Sequence, residues 1–65
     1  MRDKERIQPF LNKLGEEWKN SFPDWRFGQL MCNFSRWHEK EYHCDVFYLE
    51  EEGFLNRFRQ FLNSI

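Results

Sequence analysis

The sequence has no long hydrophobic run. Its longest wholly apolar stretch is Val46-Phe47-Tyr48-Leu49, whereas a helix needs about 20 apolar residues to cross a bilayer. No membrane contact is therefore expected. The opening Met1-Arg2-Asp3-Lys4-Glu5-Arg6 has no apolar segment behind it and does not read as a secretory signal, which makes the cytosol the expected compartment. Cysteine is scarce. Cys32 and Cys44 are the two present, and in a reducing cytosol they are expected to stay as thiols. An excess of positive charge is also missing: ten Lys and Arg stand against eleven Asp and Glu, a net charge of -1. Nucleic-acid binders normally carry a basic surplus. Glycine and proline are few, at three and two, and no linker, internal repeat or low-complexity segment appears. Residues 1–65 are expected to form a single small domain.

Aromatic residues are plentiful: eight Phe, three Trp and two Tyr make up 20% of the chain. Each buried ring removes roughly 150–250 Å² from water. A chain this short encloses only about 60% of its unfolded surface and usually needs a staple such as a disulfide, a metal or a partner subunit. The ring supply exceeds what three short helices can enclose, so some rings should reach the surface, where clustered apolar area marks interfaces. A second copy of the chain is the simplest such partner.

Three segments carry helical spacing. Ile7, Phe10, Leu11, Leu14 and Trp18 fall on one helix face, with Pro9 near the start, where its missing N–H is harmless. This helix is expected to begin between Asp3 and Gln8 and to end near Asn20. A second helix is expected to open at Ser21-Phe22-Pro23-Asp24, with Ser21 and Asp24 as a capping box and Pro23 in the first turn. It would carry Phe27, Leu30, Met31 and Phe34 and fade near Trp37 or His38. The third follows Glu50-Glu51-Glu52, whose carboxylates suit the positive end of a helix dipole, and carries Phe54, Leu55, Phe58, Phe61, Leu62 and Ile65. Gly15 and Gly28 lie inside the first two helices, where close approach by another helix would compensate their cost. The fold class expected is all-α, with a structured and possibly strand-like connection from Glu39 to Leu49. The expected core is Phe10, Leu14, Trp18, Phe27, Leu30, Met31, Phe34, Phe54, Phe58 and Leu62.

Charge is uneven along the chain. From Glu39 to Glu52 there are six acids and one Lys40, while the remainder carries nine basic groups and five acids. The acidic cluster reads first as helix-start carboxylates in solvent and second as a charged docking surface, which would raise association rate more than affinity. Cys32, His38, His43 and Cys44 could supply soft zinc ligands, but the paired C-x2-C and H-x3-H spacings are absent. Core cysteines and surface histidines are expected instead. A Cys–His nucleophile would need an orienting group and an oxyanion hole, for which so small a domain has little room. No enzyme, metal or cofactor is expected. Trp25, Arg26, Trp37 and Arg36 mix aromatic and basic groups on one helix, a composition used both by single-strand binders and by protein hot spots.

Phe22-Pro23-Asp24-Trp25-Arg26-Phe27-Gly28-Gln29-Leu30 followed by Asp45-Val46-Phe47-Tyr48-Leu49-Glu50 resembles a group of small, mostly uncharacterised proteins of phages and prophages in Gram-positive bacteria. In that group a helix ending in Trp precedes a PD-x-R-x-GQL helix, and a D-x-FY-x-E segment leads into a last amphipathic helix. The likeness runs from about Ile7 to Leu62, and Gly53 departs from it where an acidic residue is more usual. The resemblance implies an all-helical accessory protein without enzyme activity, acting in the host cytoplasm, in a setting where small proteins often block host proteins, defence enzymes included.

The leading expectation is a homodimeric, non-catalytic phage or prophage protein that binds another protein and occludes it. Its contact residues would be Trp25, Arg26, Trp37, Phe47 and Tyr48, with Asp45, Glu50 and Glu51 steering approach. The alternative is a small nucleic-acid-binding protein using Arg26, Arg36, Arg57 and Arg59. A third reading is a structural dimer with no separate ligand.

Overall fold

A computed structural model describes residues 2–65. A 3-10 turn, Lys4–Arg6, leads into helix α1, Ile7–Ser21; helix α2 spans Phe27–Tyr42, a second 3-10 turn spans Val46–Tyr48, and helix α3 spans Glu51–Asn63. The protein is all-α, and among the described residues no strand is present and no helix is long and apolar enough to cross a membrane.

Each boundary has a local cause. The Asp3 carboxylate accepts the Glu5 N–H at 3.0 Å, and Pro9 falls in the first turn of α1, where no intrahelical donor is lost. Helix α1 ends where Phe22 N–H returns to the Trp18 carbonyl, and Trp25 N–H then closes a turn onto the Phe22 carbonyl at 3.1 Å. Pro23 presets that turn, and the Phe22 and Trp25 rings stack across it with centroids 4.3 Å apart. Helix α2 starts one turn later than its sequence suggests. The cap is made by Gln29, whose side chain accepts the Arg26 N–H at 3.0 Å, and Ser21 instead closes α1.

Helix α2 also runs past His38 to Tyr42 and stops at His43, whose φ of 55° is left-handed. The segment Glu39-Lys40-Glu41 lacks apolar periodicity but consists of good helix formers, and these extend the helix. The connection beyond it is an ordered loop around a 3-10 turn. At α3 the Glu51 and Glu52 carboxylates occupy the first turn, as the helix dipole favours.

Helix α3 is the element on which both α1 and α2 pack. It runs parallel to α1: Arg6 pairs with Glu51, the Phe10 and Phe54 rings meet at 5.5 Å, and Glu17 pairs with Arg59 at 3.0 Å. The core is Leu14, Leu30, Phe34, Leu55, Phe58 and Phe61. Phe34 lies at its centre, within 4.9 Å of the Phe54 centroid, 5.3 Å of Phe58 and 5.7 Å of Phe61.

Four expectations about the interior need correction. Phe27 is 51% exposed, because it opens α2 at the edge of the core, with its ring 5.7 Å from that of Trp18. Leu55 and Phe61 join the core in its place. Both cysteines are exposed, while His38 is fully buried. Within the chain, neither Gly15 nor Gly28 is approached closely: a Cβ on either would meet nothing within 4 Å.

Candidate functional site

Among the described residues the most exposed large apolar side chains are Phe47 and Tyr48, at 79% and 80%. Their presentation follows from the turn that carries them. The Asp45 carboxylate accepts the Phe47 N–H at 3.0 Å, an Asx cap, and Leu49 N–H returns to the Val46 carbonyl at 3.0 Å. Val46 is packed against the core, so the turn has one inward anchor and two outward rings. These rings meet edge to face, 5.0 Å apart at 77°, the arrangement favoured by opposed ring quadrupoles. A shallow hollow of about 380 Å³ beside them is lined by Arg2, Phe47, Tyr48, Leu49, Glu50 and Glu51.

The rim of this tip is acidic. Asp45 is exposed, and Glu50 and Glu51 follow within six residues. Arg2 reaches Glu50, and Arg6 reaches Glu51. Exposed pairs of this kind contribute only about 0–1 kcal/mol, so they moderate the rim's field more than they rigidify it. Glu52 is exposed and lines a separate hollow with Arg6, Pro9 and Lys13.

The eight residues expected to make contact separate into three places. Phe47, Tyr48, Asp45, Glu50 and Glu51 gather at the tip. Trp25 and Arg26 lie in the α1–α2 turn, with Trp25 half-buried against Phe22. That turn caps one end of α2 and His43 caps the other, which at 1.5 Å per residue sets them about 24 Å apart. Trp37 is half-buried on the core side of α2, with its ring near Phe34 at 6.1 Å and Phe61 at 5.8 Å.

The arginines of the nucleic-acid alternative are not gathered either. Arg59 pairs with Glu17, and Arg57 turns inward, its guanidinium 3.6 Å from the centre of the Tyr42 ring. Arg26 and Arg36 are exposed, ten positions apart along α2.

Sequence reasoning missed one polar cluster. Arg57 Nη1 lies 2.7 Å from His38 Nε2. A guanidinium has no acceptor, so Nε2 accepts and the ring proton sits on Nδ1, which donates to the Cys44 carbonyl at 3.0 Å. Tyr42 stacks on His38 at 5.1 Å, and its hydroxyl donates to Gln60. Both ring nitrogens are thus satisfied, as burial requires. The available signal was spacing: His38 continues the four-residue step of the buried Leu30 and Phe34. With no solvent reaching His38, the cluster is a structural lock that ties the end of α2 to α3.

Among the described residues no group of three or more His, Cys, Asp or Glu side chains is gathered to hold a metal ion. Comparison of the chain with protein-family models, with curated proteins and with solved structures finds no match.

Proposed function

We propose that this chain is a non-catalytic accessory protein that acts by covering a surface of another protein, with the Phe47–Tyr48 tip as its contact point. The observation that carries the reading is the pair of adjacent rings, each about four-fifths exposed, on a turn braced by the Asp45 cap and the half-buried Val46 anchor. Rigid aromatic groups lose little side-chain entropy on binding and are enriched at interface hot spots. Asp45, Glu50 and Glu51 around the tip, the last two offset in part by Arg2 and Arg6, leave it a net negative rim that suits a partner surface carrying Lys or Arg, and complementary charge of this kind accelerates encounter and falls off with salt. The resemblance to phage and prophage proteins makes a host protein, with defence enzymes among the candidates, the target class to test first.

The test is affinity capture from a Gram-positive bacterial lysate. The wild-type chain is compared with a Phe47→Ala/Tyr48→Ala variant, and bound proteins are identified by mass spectrometry. The expected result is a protein with a basic contact surface, retained by the wild type and weakened about a hundredfold or more in the variant, as loss of two hot-spot rings implies. Equal capture of the same proteins by both forms would remove the tip from the mechanism.

A further inference from the structure

Helix α1 presents a second apolar surface, distinct from the tip. At 100° per residue, Ile7, Leu11 and Trp18 lie within about 40° of one another around the helix. Ile7 and Leu11 are 46% and 47% exposed, and Trp18 is continued by the half-exposed Phe27. The shoulder beside this stripe holds Gln8 and Asn12, hydrogen-bonded to each other at 3.0 Å, and Gly15. Lys19 is the charged residue on that shoulder of α1; Lys13, Glu16 and Glu17 lie on other sides of the helix.

Two further observations bear on what covers the stripe. The first is area. A folded monomer of 8.2 kDa is expected to expose about 4,500 Å², whereas this chain exposes 5219 Å². The excess of about 700 Å² belongs to the whole chain, the Phe47–Tyr48 tip included, and has the size of one partner's share, roughly 800 Å², of a stable interface. The second is Gly15. Glycine is among the poorest helix formers, and no neighbour within the chain requires one here, since a Cβ would meet nothing within 4 Å. A bare helix shoulder beside an exposed Leu is instead a notch into which an external side chain fits.

We infer that α1 is the interface of a symmetric homodimer, in which two α1 helices pack antiparallel across a two-fold axis and Leu11 of each copy seats over Gly15 of the other. A two-fold axis pairs a surface with itself, so a stripe flanked by uncharged amides suits it where a charged one would repel. With Leu11 opposite Gly15, the two Lys19 residues fall about 18 Å apart along the paired helices, beyond a Debye length at physiological salt. Ile7 and Leu11 then become buried.

The test is light scattering coupled to size-exclusion chromatography over a concentration series, with circular dichroism on every form. The wild type is expected at twice the chain mass of 8.2 kDa, with an unfolding temperature that rises with protein concentration. Leu11→Asp and Gly15→Leu, each present twice per dimer, are expected to weaken self-association about a hundredfold. In Gly15→Leu the isolated helix gains propensity, so dissociation should come with full helicity. Phe47→Ala/Tyr48→Ala is expected to remain dimeric, which separates this surface from the tip. A wild type that stays at the mass of one chain throughout would overturn the inference. So would a dimer indifferent to both α1 variants, or one dissolved by the tip variant.

Discussion

Replacing Arg57 with Met tests the polar lock between α2 and α3. The substitution keeps an unbranched apolar stem of similar reach and removes the guanidinium. His38 Nε2, in a residue with no solvent exposure, then loses its donor at 2.7 Å. Leaving a buried acceptor without a partner costs about 1–3 kcal/mol. The Tyr42 ring also loses the cation 3.6 Å from its centre, which adds about 0.5–1 kcal/mol at a partly exposed site. The expected total is about 1.5–4 kcal/mol, a large share of the roughly 3–10 kcal/mol available to a domain of this length. At about 4–8 °C per kcal/mol for a domain this small, the melting temperature should fall by at least about 6 °C. Urea titration followed by circular dichroism measures the loss directly. The double variant His38→Leu/Arg57→Met supplies the control: it removes the unpaired Nε2 acceptor but also takes the Nδ1–H donor from the Cys44 carbonyl and does not restore the cation beside Tyr42, so it should recover only part of the loss. A single Arg57→Met variant within about 0.5 kcal/mol of wild type would refute the assignment of this pair as a buried, energetically coupled contact.

Phe34→Ala should cost about 3–5 kcal/mol, because that ring is fully buried and joins Phe54, Phe58 and Phe61; loss of the cooperative transition in circular dichroism is the expected readout. Asp45→Ala removes the cap on Phe47 N–H and should cost about 1 kcal/mol, with hydrogen exchange accelerated at the Val46–Tyr48 turn and unchanged at Phe58. Both thiols are exposed, so a thiol-specific reagent should titrate Cys32 and Cys44 in the folded protein, and Cys32→Ser/Cys44→Ser should shift stability by less than about 0.5 kcal/mol.

The parts of the fold governed by local pattern were legible in the sequence. The stripe of α3 and the carboxylates before it placed that helix, because periodicity and dipole act within a few residues. Pro9 placed the start of α1 for the same reason. The start of α2 was misread because Ser21-Phe22-Pro23-Asp24 fits both a helix cap and a closing turn, and the stacking of Phe22 on Trp25 together with the Gln29 cap decides for the turn. The end of α2 was missed because Glu39-Lys40-Glu41 carries propensity without a stripe. The burial of His38 is legible in its four-residue step from Leu30 and Phe34, but its partners are not, because the Cys44 carbonyl and Arg57 lie six and nineteen residues along the chain and no spacing rule joins them.

Of the tip, the residues were legible but not their posture. Asp45-Val46-Phe47-Tyr48 is rich in strand formers and could have paired as a strand. The Asx cap and the inward Val46 make it a turn that sets the next two rings outward. Trp25 and Trp37, singled out by residue type, are each partly taken up by an intramolecular ring contact.

His43 is the one non-glycine residue with positive φ among the described residues. A side chain in the left-handed region costs roughly 1–2 kcal/mol relative to an ordinary helical residue, whereas glycine holds the same backbone without that steric conflict. Position 43 is thus a place where a single exchange can raise the melting point of the protein while leaving the aromatic tip, the interior rings and the outer face of α1 untouched. A chain hardened there would give the variants at those three places a wider thermal margin in which to be compared.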